Sequence, residues 1–182
     1  MPRIRPHSPL VRLVCLLAAG VTMASCSSGT SEDKREYAVP SSLCGTAVPA
    51  SVLGPLLPVG KKISSVKSGP SGFTRCRLVV DGQVAVTSVI EQWESGTTLN
   101  NVAYSAHRLN PGSAKKEGAG YIVSGSMGVG HASCAKLQKE GHEIFTVIRK
   151  EHGTVGLSAM EEAITKFSDG VSASEQCGAS HG

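Results

Sequence analysis

The spacing of apolar residues predicts strands in the middle of the chain, interrupted by one helix and flanked by two others. Alternating apolar and polar positions predict six strands, at Lys61–Lys67, Thr74–Asp81, Gln83–Trp93, Tyr121–Ser124, Met127–Lys139 and Glu143–Lys150. Helical spacing predicts helices near Pro49–Gly54, at Thr98–Leu109 and at Ser158–Ser174. Because the strands follow one another as hairpins, we expect an α+β domain. It has an antiparallel sheet, helices packed on it and the order α-β-β-β-α-β-β-β-α.

Local signals indicate where some of these elements begin and end. Thr97 or Thr98 is placed to cap the middle helix, and Ser158 with Glu161 has the spacing of a capping box for the last one. The stretch 112–120 is rich in glycine and lysine and has no periodicity, so we expect a mobile polar loop there.

The pair Asp81-Gly82 marks a hairpin turn between the second and third strands. A two-residue loop would pair Val80 with Gln83. A three-residue loop, with the glycine at positive φ, would pair Leu78 with Val84. Because cross-strand partners share a face, the three-residue loop collects the larger apolar side chains together, and it is the register we expect.

The first 25 residues have the pattern of a secretory signal peptide. Three arginines and no acidic residue precede an apolar run over 13–24. As a helix this run would be roughly 18 Å long, too short for a bilayer core of roughly 30 Å. It ends in Met23-Ala24-Ser25-Cys26, which resembles a bacterial lipobox. We therefore expect Cys26 to be lipidated, as by palmitate, and to become the mature N-terminus. The alternative is an ordinary signal peptide and a secreted protein.

Removal of the signal peptide changes both the organisation and the charge of the chain. We expect a flexible tether over 26–40, a single domain over 41–177 and a tail over 178–182. The full chain has 18 Lys and Arg against 14 Asp and Glu. Loss of three arginines leaves 15 against 14, a net charge of +1. This low net charge does not favour a nucleic-acid partner. Aromatic residues make up only 4% of the chain, so a surface for base stacking is not expected either.

The cysteines of the mature chain predict disulfides. Apart from Cys26 they form an even set in an exported domain, which favours two bridges: Cys44–Cys76 and Cys134–Cys177. This pairing closes the shorter available loops. A metal site is the competing interpretation, but the four cysteines are dispersed and no Cys-x-x-Cys occurs, so we expect no metal.

A longer stretch of the chain resembles a known kind of protein. After the lipobox and tether comes Ser41-Ser-Leu-Cys44-Gly-Thr-Ala-Val-Pro-Ala-Ser-Val-Leu53-Gly54, and Cys76 precedes the strand end Leu78-Val-Val-Asp-Gly82. With these features residues 10–82 resemble small actinobacterial cell-surface lipoproteins of unknown function. In those proteins a Cys precedes a short helix ending in Leu-Gly, and a second Cys lies in a following strand. The resemblance implies an extracytoplasmic α+β domain and carries no catalytic positions.

Motifs for catalysis or cofactor binding are absent from the sequence. The glycine-rich stretch 118–130 contains neither Gly-x-Gly-x-x-Gly nor a phosphate loop, and no serine lies in Gly-x-Ser-x-Gly. A Ser-His-Asp triad would have to use Asp33, Asp81 or Asp169, which we expect in the tether, in a turn and on a helix surface. We therefore assign no catalytic residue and no cofactor.

Two further groups of residues could form a metal site or a ligand groove. His131 and Cys134 form His-x-x-Cys, with His142 near them across the proposed hairpin, but oxidation of Cys134 would abolish a metal site there. Two exposed loop histidines are the simpler interpretation. The only tryptophan, Trp93, either anchors an edge of the core or lines a ligand groove.

These observations favour a non-enzymatic binding or sensing module of the cell envelope. It would be lipid-anchored on the extracytoplasmic face of the membrane, with an unknown protein or small ligand as its partner. One alternative is a secreted hydrolase without a linear motif, which requires a pocket joining Ser, His and a carboxylate. The other is an inhibitor-type module that presents residues 110–120 as a protruding ordered loop.

Overall fold

The computed structural model describes residues 34–43, 45–113 and 115–177, and strands dominate this part of the chain. The strands are β1 (Ser42–Leu43), β2 (Thr46–Ala47), β3 (Ile63–Ser68), β4 (Phe73–Val80), β5 (Gln83–Glu94), β6 (Lys115–Gly118), β7 (Tyr121–Ser124), β8 (Met127–Ala132) and β9 (His142–Lys150). The last seven form one antiparallel sheet in the order β3-β4-β5-β9-β8-β7-β6, while β1 and β2 pair only with each other. The predicted α+β class with an antiparallel sheet is confirmed.

The helices are short, apart from one. They are α1 (Ala50–Leu53), α2 (Ala135–Lys139) and α3 (Leu157–Ser172), with 3₁₀ turns at Gly54–Leu56 and Glu175–Cys177. A π-helical segment, Asn101–Ala106, lies in the middle of the chain. No helix in the described ranges combines the length and the apolar character needed to cross a bilayer.

The observed order of elements differs from the predicted one at two main places. The strand expected over Met127–Lys139 ends at Ala132, and α2 follows, because Ala-Lys-Leu-Gln-Lys consists of good helix formers without a β-branched residue. The loop expected over 112–120 contains the edge strand β6, which pairs with β7. An edge strand needs backbone partners on one side only, so it carries little apolar pattern.

The expected register of the β4–β5 hairpin is wrong, because Leu78 pairs with Val86 and not with Val84. Asp81 and Gly82 both have positive φ, 48° and 85°, which is the geometry of a two-residue type I′ loop, and Val80 pairs with Gln83. Ala85 is then an extra residue in β5, after which Leu78 pairs with Val86. The bulge allows a two-residue turn together with the apolar cross-strand pair Leu78–Val86.

The other predicted helix ends have mixed outcomes. Thr98 caps the middle helix, since its Oγ1 accepts a hydrogen bond from the Asn101 amide at 3.2 Å and Asn101 Oδ1 accepts one from the Thr98 amide at 3.2 Å. The capping box at Ser158 is wrong. Gly156 is the N-cap of α3 and makes no side-chain cap, because the helix begins one residue before Ser158.

The two faces of the large sheet are covered differently. Face A, which carries Leu78, Val86 and Ile148, packs against α1 and α3. Face B, which carries Val89 and Val147, packs against the π-helical segment. Face A holds the larger buried cluster, and α3 contributes to it through Met160, Ile164, Phe167 and Val171.

Glycines on β8 allow α3 to approach face A closely. A Cβ built on Gly130 would lie 2.3 Å from Ser168 Oγ, and one on Gly128 would lie 2.9 Å from Ile164 Cβ. At this contact the buried Thr146 hydroxyl is 2.6 Å from the Ser168 hydroxyl. The polar groups under α3 are therefore paired with each other, as buried polar groups must be.

The predicted Cys134–Cys177 disulfide is present, with a Cα–Cα distance of 4.5 Å. It joins the loop after β8 to the 3₁₀ turn after α3. The other predicted pair includes Cys44, which lies outside the described residues, while Cys76 is buried on β4. Within the stretch expected to be tether, Arg35 donates to the carbonyl oxygens of Gly54 and Leu57 at 3.0 and 2.7 Å.

Candidate functional site

Face B is only partly covered, and its uncovered side is the candidate site. The π-helical segment and Leu109 pack over the part of face B formed by β5, β9, β8 and β7. Among the described residues nothing comparable covers the neighbouring part, formed by β3 and β4, and Val66 there is 43% exposed. Arg75 and Arg77 are also on this side, because they pair with Ser68 and Val66 of β3.

An ion pair holds the end of the π-helical segment on the sheet. His107 Nε2 lies 2.8 Å from Glu91 Oε1, and Glu91 is only 7% exposed. Arg149 on β9 donates to the His107 carbonyl oxygen at 3.2 Å. The π-type bond from the His107 amide to the Val102 carbonyl positions the imidazole at this end of the segment. The ion pair separates two depressions of the surface.

The first depression, the arginine depression, has a volume of about 360 Å³. It is lined by Arg75, Arg77, Thr87, Val89, His107, Arg149 and Glu151. Three guanidinium groups and one carboxylate therefore meet around one cavity. Arg75 lies over the Phe73 ring, with its guanidinium carbon 5.3 Å from the ring centroid.

The second depression, the aromatic notch, lies where β5 runs past the first residue of β4. Its volume is about 590 Å³, and it is lined by Ser71, Gly72, Phe73, Glu91, Gln92, Trp93, Glu94 and His142. Trp93 is partly buried against the face B cluster, so it both anchors the edge of the core and lines a groove. Trp93 Nε1 and His142 Nδ1 are buried and have no hydrogen-bond partner among the described residues.

The structure separates the metal candidates suggested by the sequence. Cys134 is oxidised in its disulfide, and His131 Nε2 lies 2.8 Å from Glu143 Oε2. The hydrogen bond from His131 lowers the pKa of the Glu143 carboxyl below its ordinary value. His142 lines the aromatic notch instead. Across residues 34–43, 45–113 and 115–177, no three His, Cys, Asp or Glu side chains are grouped as a metal site.

The carboxylates that a hydrolase would need have other partners. In the described part of the chain, neither His107 nor His131 hydrogen-bonds to a serine; each contacts a glutamate. Asp81 accepts hydrogen bonds from the amides of Lys61 and Lys62 at 2.9 and 2.8 Å, and these bonds lower the pKa of its carboxyl.

Sequence reasoning missed the arginine depression. Arg75 and Arg77 are two residues apart in a predicted strand, so their placement on one face could have been inferred from the alternation alone. Arg149 lies on β9, and only the strand order places β9 beside β5.

No protein-family model, curated protein or solved structure matches this chain significantly. The resemblance to actinobacterial lipoproteins therefore rests on the sequence pattern alone and stays a prediction.

Proposed function

We propose that this protein is a non-enzymatic binding module of the cell envelope. It is carried on the extracytoplasmic face of the membrane by a lipid at Cys26, and it holds a small polar ligand in the aromatic notch. The signal-peptide pattern and the Cys26 context support the location. The notch supports the binding role.

The observation that carries the binding role is the unused hydrogen-bonding capacity at the aromatic notch. Ligand sites combine apolar and aromatic walls with a few polar groups, and the notch offers Phe73 and Trp93 beside Glu94 and His142. A buried polar atom without a partner costs about 1–3 kcal/mol. A ligand that carries an acceptor group and lets the indole turn would recover this cost at Trp93 Nε1.

The two alternative functions have less support. A hydrolase requires a hydroxyl or thiol nucleophile beside a base, and among the described residues the two His–Glu pairs have no such neighbour. An inhibitor-type module requires a free protruding loop over 110–120. Lys115–Gly118 of that segment instead form strand β6, which is hydrogen-bonded to β7.

Fragment binding followed by ¹⁵N NMR on the full-length chain tests the notch. Neutral polar fragments such as N-acetylglucosamine should shift the single indole N–H signal, which belongs to Trp93, together with the amides of 71–73 and 91–94. Ser71→Phe fills the notch and should abolish these shifts. The matched control Ser158→Phe places the same side chain on exposed α3 and should preserve them. Shifts that survive Ser71→Phe, or that cluster on α3, would contradict the proposal.

The anchor is tested by cell fractionation. Cys26→Ala should move the protein from the membrane fraction to the soluble extracytoplasmic or secreted fraction, because the lipid has lost its attachment atom. A protein that stays in the membrane fraction after this substitution would refute the anchor.

We also propose the second disulfide, Cys44–Cys76. Since Cys134 and Cys177 bond to each other, these two cysteines are the pair left in the domain after Cys26. Non-reducing peptide mapping should recover them in one linked fragment. A free thiol at Cys44 would show the pairing to be wrong.

A further inference from the structure

The arginine depression carries more positive charge than its own residues neutralise. Arg75, Arg77 and Arg149 face one carboxylate, that of Glu151, so the cavity has a net charge of +2. Within the described part of the chain, neither Arg75 nor Arg77 has a hydrogen-bond or salt-bridge partner, and Arg77 Nε is buried. Like charges that share a small cavity repel each other, so an anion placed among them would be stabilising.

The strand register explains how the three side chains converge. Arg75 and Arg77 are alternate residues of β4 and therefore point to the same face. Arg77 pairs with Thr87 of β5, and Thr87 pairs with Arg149 of β9. The two arginines thus flank Thr87 from either side, about 10 Å apart at the backbone because neighbouring strands are about 4.8 Å apart. Side chains as long as arginine span this gap above the Thr87 hydroxyl.

Two neighbouring contacts fix the orientation of this cluster. The Phe73 ring lies under the Arg75 guanidinium, and the hydrogen bond to the His107 carbonyl restrains Arg149. A restrained guanidinium loses less side-chain entropy when it binds, and its planar fork matches two oxygens of one anion.

We infer that the arginine depression is a binding site for an oxyanion, the phosphate or carboxylate group of a small ligand. Arg77 and Arg75 bind its oxygens, Arg149 closes the opposite side and the Thr87 hydroxyl donates from the floor. The site is separate from the aromatic notch, because the Glu91–His107 pair lies between them. The two proposals therefore fail independently.

Isothermal titration of the full-length chain tests the inference. Sodium phosphate and sodium citrate are titrated separately, each against sodium chloride at matched ionic strength. We expect at least one of them to bind saturably with a Kd of about 1 mM, the affinity open to an ion of a few heavy atoms. Phosphate alone would identify a phosphate site, and citrate alone a carboxylate site. Absence of saturation by both up to about 20 mM would overturn the inference.

Matched substitutions separate a built site from general charge attraction. Arg77→Gln should weaken the anion about tenfold, and Arg77→Lys should also weaken it because the planar fork is lost. Lys67→Gln removes the same charge from exposed β3, where Lys67 pairs with Cys76 and so points to face A. It should change the Kd by less than about twofold. Equal losses from Lys67→Gln and Arg77→Gln would mean an adventitious ion only and would overturn the site.

A second variant is used if Arg77→Gln destabilises the fold. If Arg77→Gln lowers the unfolding midpoint, Arg75→Gln replaces it, since the Arg75 side chain is exposed and its loss should not disturb the fold. We expect about a fivefold weakening from Arg75→Gln, with an unchanged midpoint. An Arg75→Gln protein that binds phosphate and citrate as the wild type does would contradict the site.

Discussion

The two faces of one sheet use the same strands for different purposes. On β4 the residues Cys76, Leu78 and Val80 are buried on face A, whereas Arg75 and Arg77 alternate with them on face B. Face A meets a four-turn helix, and face B meets a π-helical segment of six residues. The face under the longer helix holds the larger buried apolar cluster.

The two faces therefore contribute differently: face A to the stability of the fold, and face B to ligand binding. Face A excludes water with α3, with glycines that bring the helix close and with a disulfide after the helix. Face B has the hydrogen-bonded Glu91–His107 pair, two surface depressions and, within the described part of the chain, two guanidiniums without a hydrogen-bond or salt-bridge partner. A substitution on face A should therefore change the free energy of unfolding, while one on the uncovered side of face B should change ligand affinity.

Removal of the disulfide should have the largest effect on stability. The double variant Cys134→Ala, Cys177→Ala opens a loop of 43 residues. The free energy of unfolding should fall by about 4 kcal/mol on the chain-entropy model. Urea denaturation under non-reducing conditions measures the change. A loss below about 1 kcal/mol would mean that the packing of α3 on face A holds the helix without the bridge.

Gly130→Ala should come next, because the added Cβ meets Ser168 and Ile164 at the contact between α3 and β8. Overpacking of this kind costs up to about 3 kcal/mol, which urea denaturation would detect. Gly156→Ala is the control, since a Cβ there meets nothing within 4 Å. If both variants unfold at the same urea concentration, the close approach of α3 does not restrict the size of the side chain at position 130.

His107→Ala should have a smaller effect, confined to face B. It removes the partner of the buried Glu91 carboxylate, and a hydrogen bond to a charged group contributes about 2 kcal/mol. Hydrogen exchange should accelerate at the amides of 102–109 and stay slow in α3. Equal acceleration in α3 would show that α3 and the π-helical segment unfold together, so that the two faces are not independent.

Elements with a buried side were predictable from the sequence. The strands β4, β5 and β9 and the helix α3 repeat their apolar residues at the period of the structure, so the pattern locates them within a few residues. The five-residue α2 has no buried residue and β6 lies at the edge of the sheet, so no pattern distinguishes either from a loop. At the hairpin the turn and the apolar match favoured different registers. The structure keeps the two-residue turn, and the bulge at Ala85, which alternation alone does not predict, pairs Leu78 with Val86.

The candidate site was predictable only in part, for a topological reason. The alternation of Arg75 and Arg77 is local and visible in the sequence. Their convergence with Arg149 depends on β9 pairing with β5, although 48 residues separate the two strands' facing ends, Glu94 and His142. Trp93 packs at the edge of the core and also lines the notch, whereas the Glu91–His107 pair depends on a π-type turn that no sequence signal marks.

Glu143→Gln should have the smallest effect, and it should depend on pH. The hydrogen bond from His131 lowers the pKa of Glu143, so the folded state binds this proton less readily than the unfolded state. The stabilisation is therefore present above the ordinary glutamate pKa of about 4.5 and is lost as the pH falls through the lower folded value. Because the pair is partly exposed, its contribution should stay below about 1 kcal/mol.

Urea denaturation of the wild type and Glu143→Gln at pH 6 and pH 3 measures this difference. The two proteins should differ at pH 6 and approach each other at pH 3, because protonation of the carboxyl in the unfolded state then removes part of the stabilisation. Glu162→Gln, on the exposed surface of α3 beyond face A, is the control and should show no such convergence. A constant difference between wild type and Glu143→Gln at both pH values would mean that the carboxylate charge does not stabilise face B. The His131–Glu143 contact would then act as a neutral hydrogen bond.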